Sequence, residues 1–381
     1  MAAQPDGAAR SQQVAIKLRL GHVMRILIAP DSFKGTLTSV EAADAMATGI
    51  KSVLPEAEII TMPLADGGEG TLDALLPVLG GEMRDQICYF ENQERPHALI
   101  ESASFIGLSL PSIQEPVLER GSSALGEAVV SVLDQGIRDI WIALGGSATC
   151  DGGLGFLTAL GCSLTDEVDS PVSADLQGLL QARQINIENL DPRLPETRFT
   201  VLSDVQNPLC GKQGAVFVYG PQKGIKDTEL TDVDAAMQGW AGLCEQAFDV
   251  SVQYEPGAGA AGGIGFVLKV LGGETVSGAQ FVMQKCWFNQ LVKTADWVIT
   301  GEGRSDEQTL NGKLPMVVAQ ACREHNVNVA LISGDVESSS LLSKAFDEVI
   351  SARSAGMPVQ DAMRNAEQLL RNAAASWADS I

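Results

Sequence analysis

Glycine-rich loops that also carry hydroxyl and charged side chains are the features of this sequence that could do chemistry. Residues 145–149 (GGSAT) directly follow an apolar run that predicts a buried strand. Glycine lets the main chain turn sharply and approach a ligand, and successive N–H groups in such a loop bind anions. Ser147 and Thr149 add hydroxyl donors. The segment therefore predicts an anion-binding loop, with a tight structural turn as the alternative.

The pattern Asp-Gly-Gly-x-Gly occurs twice, at residues 66–70 (DGGEG) and at residues 151–155 (DGGLG). Each copy follows a predicted strand and precedes a helix-like run. Asp151 would repel a phosphate, but it could hold Mg²⁺ or accept the proton of a substrate hydroxyl. The alternative is an Asp that only caps a turn. The repeat is too short to indicate a duplicated domain, yet it indicates the same loop chemistry used twice.

Two further loops combine a cation with polar groups. Ser32 and Lys34 follow the first predicted strand and precede a helix, a position that suits a carboxylate or a phosphate. Near the other chain end, residues 301–304 (GEGR) give a similar arrangement together with Asp306 and Lys313.

These loops contain the groups that phosphoryl transfer requires. N–H and Lys groups bind phosphates, carboxylates hold Mg²⁺, and one carboxylate accepts the hydroxyl proton. Asp204, after a predicted strand at 198–203, adds another carboxylate. The three histidines lie outside the Gly-rich motifs and the seven cysteines form no CxxC pair, so a Ser-His-Asp or zinc mechanism has little material to use.

One motif points elsewhere. Residues 256–265 (PGAGAAGGIG) contain G-x-G-x-x-G at Gly257, Gly259 and Gly262. A dinucleotide site needs a strand just before that motif, whereas Pro256 predicts a loop. The sequence also lacks the G-x-x-x-x-G-K-[ST] of P-loop kinases. The first observation disfavours a dinucleotide site and favours a helix start of small residues packed close to a ligand. The second excludes a P-loop kinase.

Alternating strands and helices at both chain ends must position these loops. From the N-terminus we predict a strand at 25–30, a helix at 38–53 with Ser39 as N-cap, a strand at 58–64 and a helix at 71–79. Towards the C-terminus we predict strands at 296–300, 327–333 and 348–351, with helical segments at 313–325, 341–346 and 358–378. Such alternation indicates parallel strands whose loops gather at their C-terminal ends.

The middle of the chain is less regular and richer in Gly and Pro. We therefore expect an α/β fold with two domains: a Rossmann- or flavodoxin-like parallel-sheet domain built from residues 24–79 and 292–381, and an inserted α/β domain at 80–291. A simple division into an N-terminal and a C-terminal half is the alternative. Residues 1–23 lack a signal-peptide h-region, and we expect them to be a disordered extension before a true start at Met24.

Composition limits the partners. The formal charge of −22 and the pI near 4.4 argue against nucleic acid and against an anionic membrane surface. No apolar run approaches the roughly 20 residues of a membrane span. We expect a cytoplasmic enzyme acting on small molecules, and the sequence leaves open whether it is a monomer or a homodimer.

Six segments together resemble the bacterial class I glycerate kinases, the glycerate 2-kinase family. They are IAPDSFKGTLT at 28–38, PLADGGEGT at 63–71, ALGGSATCDGGLGFLTALG at 143–161, SDVQNPLCGKQGAVFVYGPQKG at 203–224, PGAGAAGGIG at 256–265 and ITGEGRSDEQTLNGKLP at 299–315. Cys150 departs from the Asn that the family usually has there. The resemblance implies ATP-dependent phosphorylation of D-glycerate to 2-phosphoglycerate with Mg²⁺, in a two-domain α/β enzyme whose active site lies in the cleft.

The resemblance also supports a hypothesis about roles. The substrate carboxylate is expected at Ser32, Lys34 and Arg304, with Asp306 beside it. Nucleotide phosphates are expected at Gly145, Gly146, Ser147, Thr149 and Lys313. The catalytic residues are expected to be Lys34 with Asp66 or Asp204 as proton acceptor, and Asp151 is the candidate metal ligand.

Three rival functions remain at this point: a kinase of the same fold acting on another small hydroxy acid, a non-enzymatic ligand-binding module, and a dehydrogenase using G-x-G-x-x-G. The module would have lost Asp or Lys from several loops, and the sequence retains them.

Overall fold

A computed structural model describes residues 23–91, 94–310, 312–337 and 340–381. The predicted extension at 1–23 lies outside the described residues apart from Val23. The chain divides into two compact units. The first contains Met1–Asp66, Asp73–Val78 and Ala279–Ile381, and the second contains Gly67–Leu72 and Leu79–Gly278. Both chain ends thus contribute to the first unit, whose last segment begins thirteen residues before the predicted boundary at 292.

The strands, in chain order, are β1 (Arg25–Ile28), β2 (Glu58–Thr61), β3 (Glu82–Arg84), β4 (Ile87–Phe90), β5 (His97–Glu101), β6 (Asp139–Ala143), β7 (Ser163–Thr165), β8 (Gln184–Asn186), β9 (Arg198–Leu202), β10 (Glu274–Val276), β11 (Trp297–Thr300), β12 (Arg304–Ser305), β13 (Asn328–Ser333), β14 (Asp335–Val336) and β15 (Glu348–Ser351).

The helices are α1 (Ser39–Val53), α2 (Thr71–Leu79), α3 (Ser102–Ile106), α4 (Ser123–Asp134), α5 (Leu154–Ala159), α6 (Leu176–Gln181), α7 (Ala215–Lys223), α8 (Leu230–Phe248), α9 (Ile264–Val270), α10 (Gly278–Lys285), α11 (Phe288–Val292), α12 (Leu314–Glu324), α13 (Leu342–Ala345), α14 (Val359–Arg364) and α15 (Ala366–Ser380). Within the described residues, no helix is both long and apolar enough to cross a membrane.

The first unit is built on a parallel sheet in the order β15–β13–β11–β1–β2. The apolar runs of β1, β11 and β13 are buried, as expected for parallel strands covered on both faces. Helices α1 and α15 pack together, and Trp297 meets Trp377 edge to face at 5.4 Å between ring centroids. A Cβ at Gly49 would collide with the main-chain oxygen of Arg371, so the absence of a side chain there permits the close approach.

Two predicted details of the first unit were wrong. The N-cap of α1 is Thr38 rather than Ser39, because Thr38 and Glu41 form a reciprocal capping box. The predicted helix at 358–378 is two helices, α14 and α15, separated at Asn365. The Asn365 side chain donates to the main-chain oxygen of Asp361 at 2.9 Å, and such local bonding competes with regular helix geometry.

The second unit is built on a mixed sheet in the order β10–β9–β6–β5–β4–β3. Strands β10, β9, β6 and β5 are parallel, and β4 and β3 join antiparallel at one edge. Helix α7 ends at Gly224, its C-cap, which has a φ of +100°. The α/β class with parallel strands is confirmed.

Candidate functional site

The topology of the first unit marks one edge of its sheet. The chain runs from β1 to β2 in one direction, and from β11 through β13 to β15 in the other. Strands β1 and β11 are neighbours, so the topological switch point lies between them. In open α/β sheets, ligands bind beyond the carboxyl ends of the strands at this point.

A pocket of about 460 Å³ lies in the first unit at the carboxyl ends of these strands. The segments after β1, β11, β13 and β15 all contribute to its wall. Its charged lining residues include Asp31, Lys34, Asp66, Glu302, Arg304 and Lys313. The structure thereby brings together Ser32, Lys34, Asp66, Arg304 and Lys313 from the predicted set.

Asp31 is a buried carboxylate of this pocket, and the sequence-based assignment of roles missed it. Its side chain is almost fully enclosed, and its Oδ1 accepts a hydrogen bond from the Ser32 N–H at 2.7 Å. Burial raises the pKa of Asp31 well above its usual value, and repulsion from Asp66 raises it further against the opposing effect of Lys34. The available signal was its position directly after β1.

Lys34 and Asp66 form an ion pair at the pocket. The Lys34 Nζ lies 3.9 Å from the Asp66 Oδ2, with side chains 74% and 30% exposed. The pair is accessible to a ligand, whereas Asp31 is sequestered. One phosphate or carboxylate could therefore contact the cation while a buried base lies nearby.

Glu302 is held in place by several donors. Its Oε1 accepts from Thr309 Oγ1 at 2.6 Å and from Ser305 Oγ at 3.1 Å, and its Oε2 lies 3.4 Å from the Lys313 Nζ. Lys313 is the N-cap residue of α12. The Glu302 carboxylate therefore fixes the position of Lys313, which sequence reasoning had assigned to nucleotide phosphates.

Arg304 and Asp306 occupy different surroundings. Arg304 lines the pocket and pairs with Glu337 at 3.0 Å on the exposed side. The Asp306 Oδ1 accepts from the Gln308 N–H at 2.8 Å, and Asp306 does not appear in the pocket wall. This geometry supports a local turn-stabilising contact for Asp306, and its substrate role stays a prediction.

Asp335 and Arg353 form a further ion pair in the wall. The Arg353 Nε and Nη2 donate to the two Asp335 carboxylate oxygens at 2.9 and 2.8 Å. These bonds raise the pKa of Arg353, and the bidentate geometry is rigid. The sequence carries no motif at either position that would have identified them.

In the second unit, the loop at 145–149 is more enclosed than expected. Gly145 donates to the main-chain oxygen of Gly67 at 3.4 Å, and Ala148 donates to that of Ile106 at 2.7 Å. Ser147 and Thr149 are buried, whereas Gly146 is exposed with a φ of +76°. A ligand can therefore reach the main chain at Gly146 more readily than the two hydroxyls.

Lys223 is the second residue that sequence reasoning missed. It is 3% exposed, and its Nζ donates to the Thr149 main-chain oxygen at 2.7 Å and to the Ser147 Oγ at 3.1 Å. Burial lowers its pKa. Arg120 holds the same residue from the other side by donating to its main-chain oxygen at 2.6 Å. Lys223 thus anchors the 145–149 loop to α7.

Asp151 has the same motif position as Asp66 and a different environment. It is fully buried, and its carboxylate accepts from the N–H and Oγ of Ser122 and from the N–H groups of Gly153 and Gly155, at 2.7–3.2 Å. Burial raises its pKa despite these donors. Four hydrogen-bond donors on a fully buried carboxylate support a structural role for Asp151 over metal binding.

The remaining predicted carboxylate, Asp204, follows β9 in the second unit and is half-buried. The nearby Gly-rich segment packs main chain against main chain: a Cβ at Gly262 would collide with the oxygen of Thr149, and one at Gly259 with that of Pro208. The structure has no strand directly before this segment among the described residues. Its glycines therefore support neighbouring loops, and the dinucleotide interpretation remains disfavoured.

Known proteins resemble this chain over most of its length. Residues 26–381 match the model of the glycerate kinase family. The chain is 36% identical to a glycerate kinase of Halalkalibacterium halodurans, over 92% of this chain and 96% of the relative. It is also 36% identical to a glycerate 2-kinase of Escherichia coli K12, over 82% and 86% of the two chains.

A solved structure extends the comparison to the fold. A crystal structure of a Salmonella typhimurium LT2 protein, assigned as glycerate kinase 2, superposes with a TM-score of 0.75 at 35% identity and covers 94% of this chain and 98% of that chain. The match of the family model across nearly the whole described chain, together with these relatives, establishes that the chain belongs to the glycerate kinase family.

Proposed function

We propose that this protein is a glycerate 2-kinase, which transfers the γ-phosphoryl group of ATP to the 2-hydroxyl of D-glycerate. The observation that carries the chemistry is the pocket at the β1/β11 switch point, where the accessible Lys34–Asp66 pair lies in the same wall as the buried Asp31. A cation for the transferred group and a sequestered base are the two protein groups that this reaction needs.

In the proposed step, the 2-hydroxyl oxygen of glycerate attacks the γ-phosphorus and forms the new P–O bond. The bond from that phosphorus to the bridging oxygen breaks, and its electron pair leaves with ADP. The hydroxyl proton passes to a carboxylate. In phosphoryl transfer the protein forms few covalent bonds with the substrates, so substrate positioning and charge stabilisation supply most of the rate enhancement.

We assign proton acceptance to Asp31. The burial that raises its pKa makes it a stronger base than an exposed carboxylate, closer to the ideal for work near neutral pH. Asp66 and Asp204, the earlier candidates, lie one in each unit. The ion pair with Lys34 favours a role for Asp66 at the phosphoryl group instead.

Three cationic side chains are proposed to neutralise the negative charge of the two substrates. Lys34 and Lys313, the latter fixed by Glu302, bind the transferring phosphate, and Arg304 at the rim takes the glycerate carboxylate. In the second unit, the exposed main chain at Gly146 is the proposed anion donor of the 145–149 loop, which Lys223 holds through Ser147 and Thr149.

Mg²⁺ fits this pocket as a shared ion. Among the residues that the structure describes, no cluster of three or more His, Cys, Asp or Glu could hold a metal alone. Kinase sites usually bind Mg²⁺ through one or two carboxylates together with substrate phosphates. Asp31 and Asp66 repel each other, with Lys34 opposing that repulsion, which favours a further bound cation; Asp66 would hold the ion. When bound, the ion neutralises charge on the phosphates.

The experiment is ³¹P NMR of the protein with ATP, Mg²⁺ and D-glycerate. A 2-phosphoglycerate signal with matching ADP supports the proposal. A 3-phosphoglycerate signal would correct the position of transfer, and turnover only with another hydroxy acid would correct the substrate. Because ATP is the donor, we also propose that the protein works in the cytoplasm.

A further inference from the structure

The switch-point pocket is larger than the acceptor substrate needs. Its volume of about 460 Å³ lies within the roughly 300–1,000 Å³ range of pockets that hold drug-sized ligands. Glycerate is a three-carbon acid and would occupy only its charged end. The remaining volume calls for a second, larger group.

One part of the wall is apolar and comes from the C-terminal helices. Val359, Ala362 and Met363 of α14, with Ala366, Leu369 and Leu370 of α15, line it. Val359 and Met363 are 56% and 45% exposed, and α14 has no buried residue. Large apolar side chains exposed together mark an interaction surface, and their position in the wall of a pocket favours a ligand as its occupant.

This apolar wall is continuous with the charged end. Lys34, Arg304, Lys313 and Arg353 line the same pocket. An apolar wall beside a few convergent cations matches a ligand with a flat, weakly polar body and an anionic tail. Methionine suits such a body, because its polarizable thioether packs well against aromatic rings.

We propose that the wall formed by α14 and α15 binds the nucleoside of ATP, with the base against Ala362 and Met363 and the phosphates directed towards Lys34 and Lys313. This assignment rests on the proposed kinase function for the identity of the nucleotide. It places the base in the first unit, on helices outside every motif that the sequence had indicated.

The test measures binding without turnover. Calorimetry compares a non-hydrolysable ATP analogue with inorganic tripolyphosphate, which has the phosphates and lacks the nucleoside, on the wild type and on Ala362→Phe. The added ring occupies the base position, so analogue affinity should fall at least about tenfold, a loss of about 1.4 kcal/mol. Tripolyphosphate affinity should stay unchanged.

Two further variants guard against a folding artefact. Met363→Gln removes apolar surface at an exposed position and should weaken the analogue alone, by roughly threefold to tenfold. Ser376→Phe adds the same ring to an exposed position of α15 outside the pocket and should change neither ligand.

Unchanged analogue binding in Ala362→Phe and Met363→Gln would overturn the assignment, as would an equal loss of analogue and tripolyphosphate. Loss of glycerate binding instead would assign the wall to the acceptor and also overturn it. The ³¹P experiment is separate: failure of glycerate turnover with nucleotide binding still sensitive to Ala362→Phe would reject the function and retain the nucleoside site.

Discussion

The Lys223 Nζ donates a hydrogen bond of 2.7 Å to the main-chain oxygen of Thr149, across 74 residues of sequence. Burial of an ammonium group costs free energy unless its donors form hydrogen bonds, and here those donors hold the 145–149 loop. The 145–149 segment is therefore shaped by α7 as well as by its own glycines.

Lys223→Met should loosen that loop. The substitution leaves the Thr149 oxygen and the Ser147 Oγ without their buried donor, which costs roughly 1–3 kcal/mol, partly offset by removal of a desolvated charge. We expect a lower urea midpoint for unfolding. Lys226→Met, three residues on and exposed, is the control. An unchanged urea midpoint in Lys223→Met would reject the anchoring role of Lys223.

Asp31→Asn should stabilise the free protein at neutral pH. Because the folded pKa of Asp31 is raised, its contribution to stability is full below the unfolded value of 3.8 and is lost as pH rises through the folded value. An Asn side chain does not ionise, so the variant does not lose this stability as pH rises. Its melting temperature should therefore exceed that of wild type at pH 7. The advantage should vanish in acid.

The measurement is thermal unfolding between pH 3 and 8 without nucleotide or Mg²⁺, with Asp44→Asn on the exposed face of α1 as control. A variant less stable than wild type at pH 7 would contradict the burial argument.

The same variant should be almost inactive. Loss of the proton acceptor lowers kcat by about 10²–10⁴ while nucleotide binding survives. Asp66→Asn should instead raise the Mg²⁺ concentration needed for half-maximal activity. If Asp31→Asn retains wild-type kcat and Asp66→Asn or Asp204→Asn loses it, proton acceptance belongs to the latter residue.

Asp151→Asn should destabilise the second unit. An amide cannot accept from all four donors now facing the carboxylate, and the loss is on the order of 3 kcal/mol. Chemical denaturation measures it, with the exposed Asp227→Asn as control. A metal ligand would behave differently: stability would be retained and the Mg²⁺ requirement would rise.

Much of the fold could be predicted from local patterns. The apolar runs of β1, β11, β13 and β15 and the amphipathic α1 and α12 are each encoded within a few residues. The break at Asn365 was missed because the apolar spacing continues across it, whereas one side-chain bond to Asp361 ends the first helix.

The candidate site was harder to predict from the sequence than the fold. Gly-rich neighbours indicate Ser32, Lys34 and Lys313 as candidates, and the structure places all three in one pocket. Asp335 and Arg353 could not be predicted to pair, since their contact depends on the ends of separate strands meeting at one sheet edge.

The sequence by itself determined the family and the class of chemistry, because six ordered motifs and local periodicity are readable along the chain. Only the tertiary structure decided the surroundings of each carboxylate. Asp66 and Asp151 have the same motif, yet one remains accessible beside Lys34 and the other is enclosed by Ser122 and two glycine N–H groups. Burial and charge depend on residues brought from elsewhere in the chain, and no local pattern encodes them.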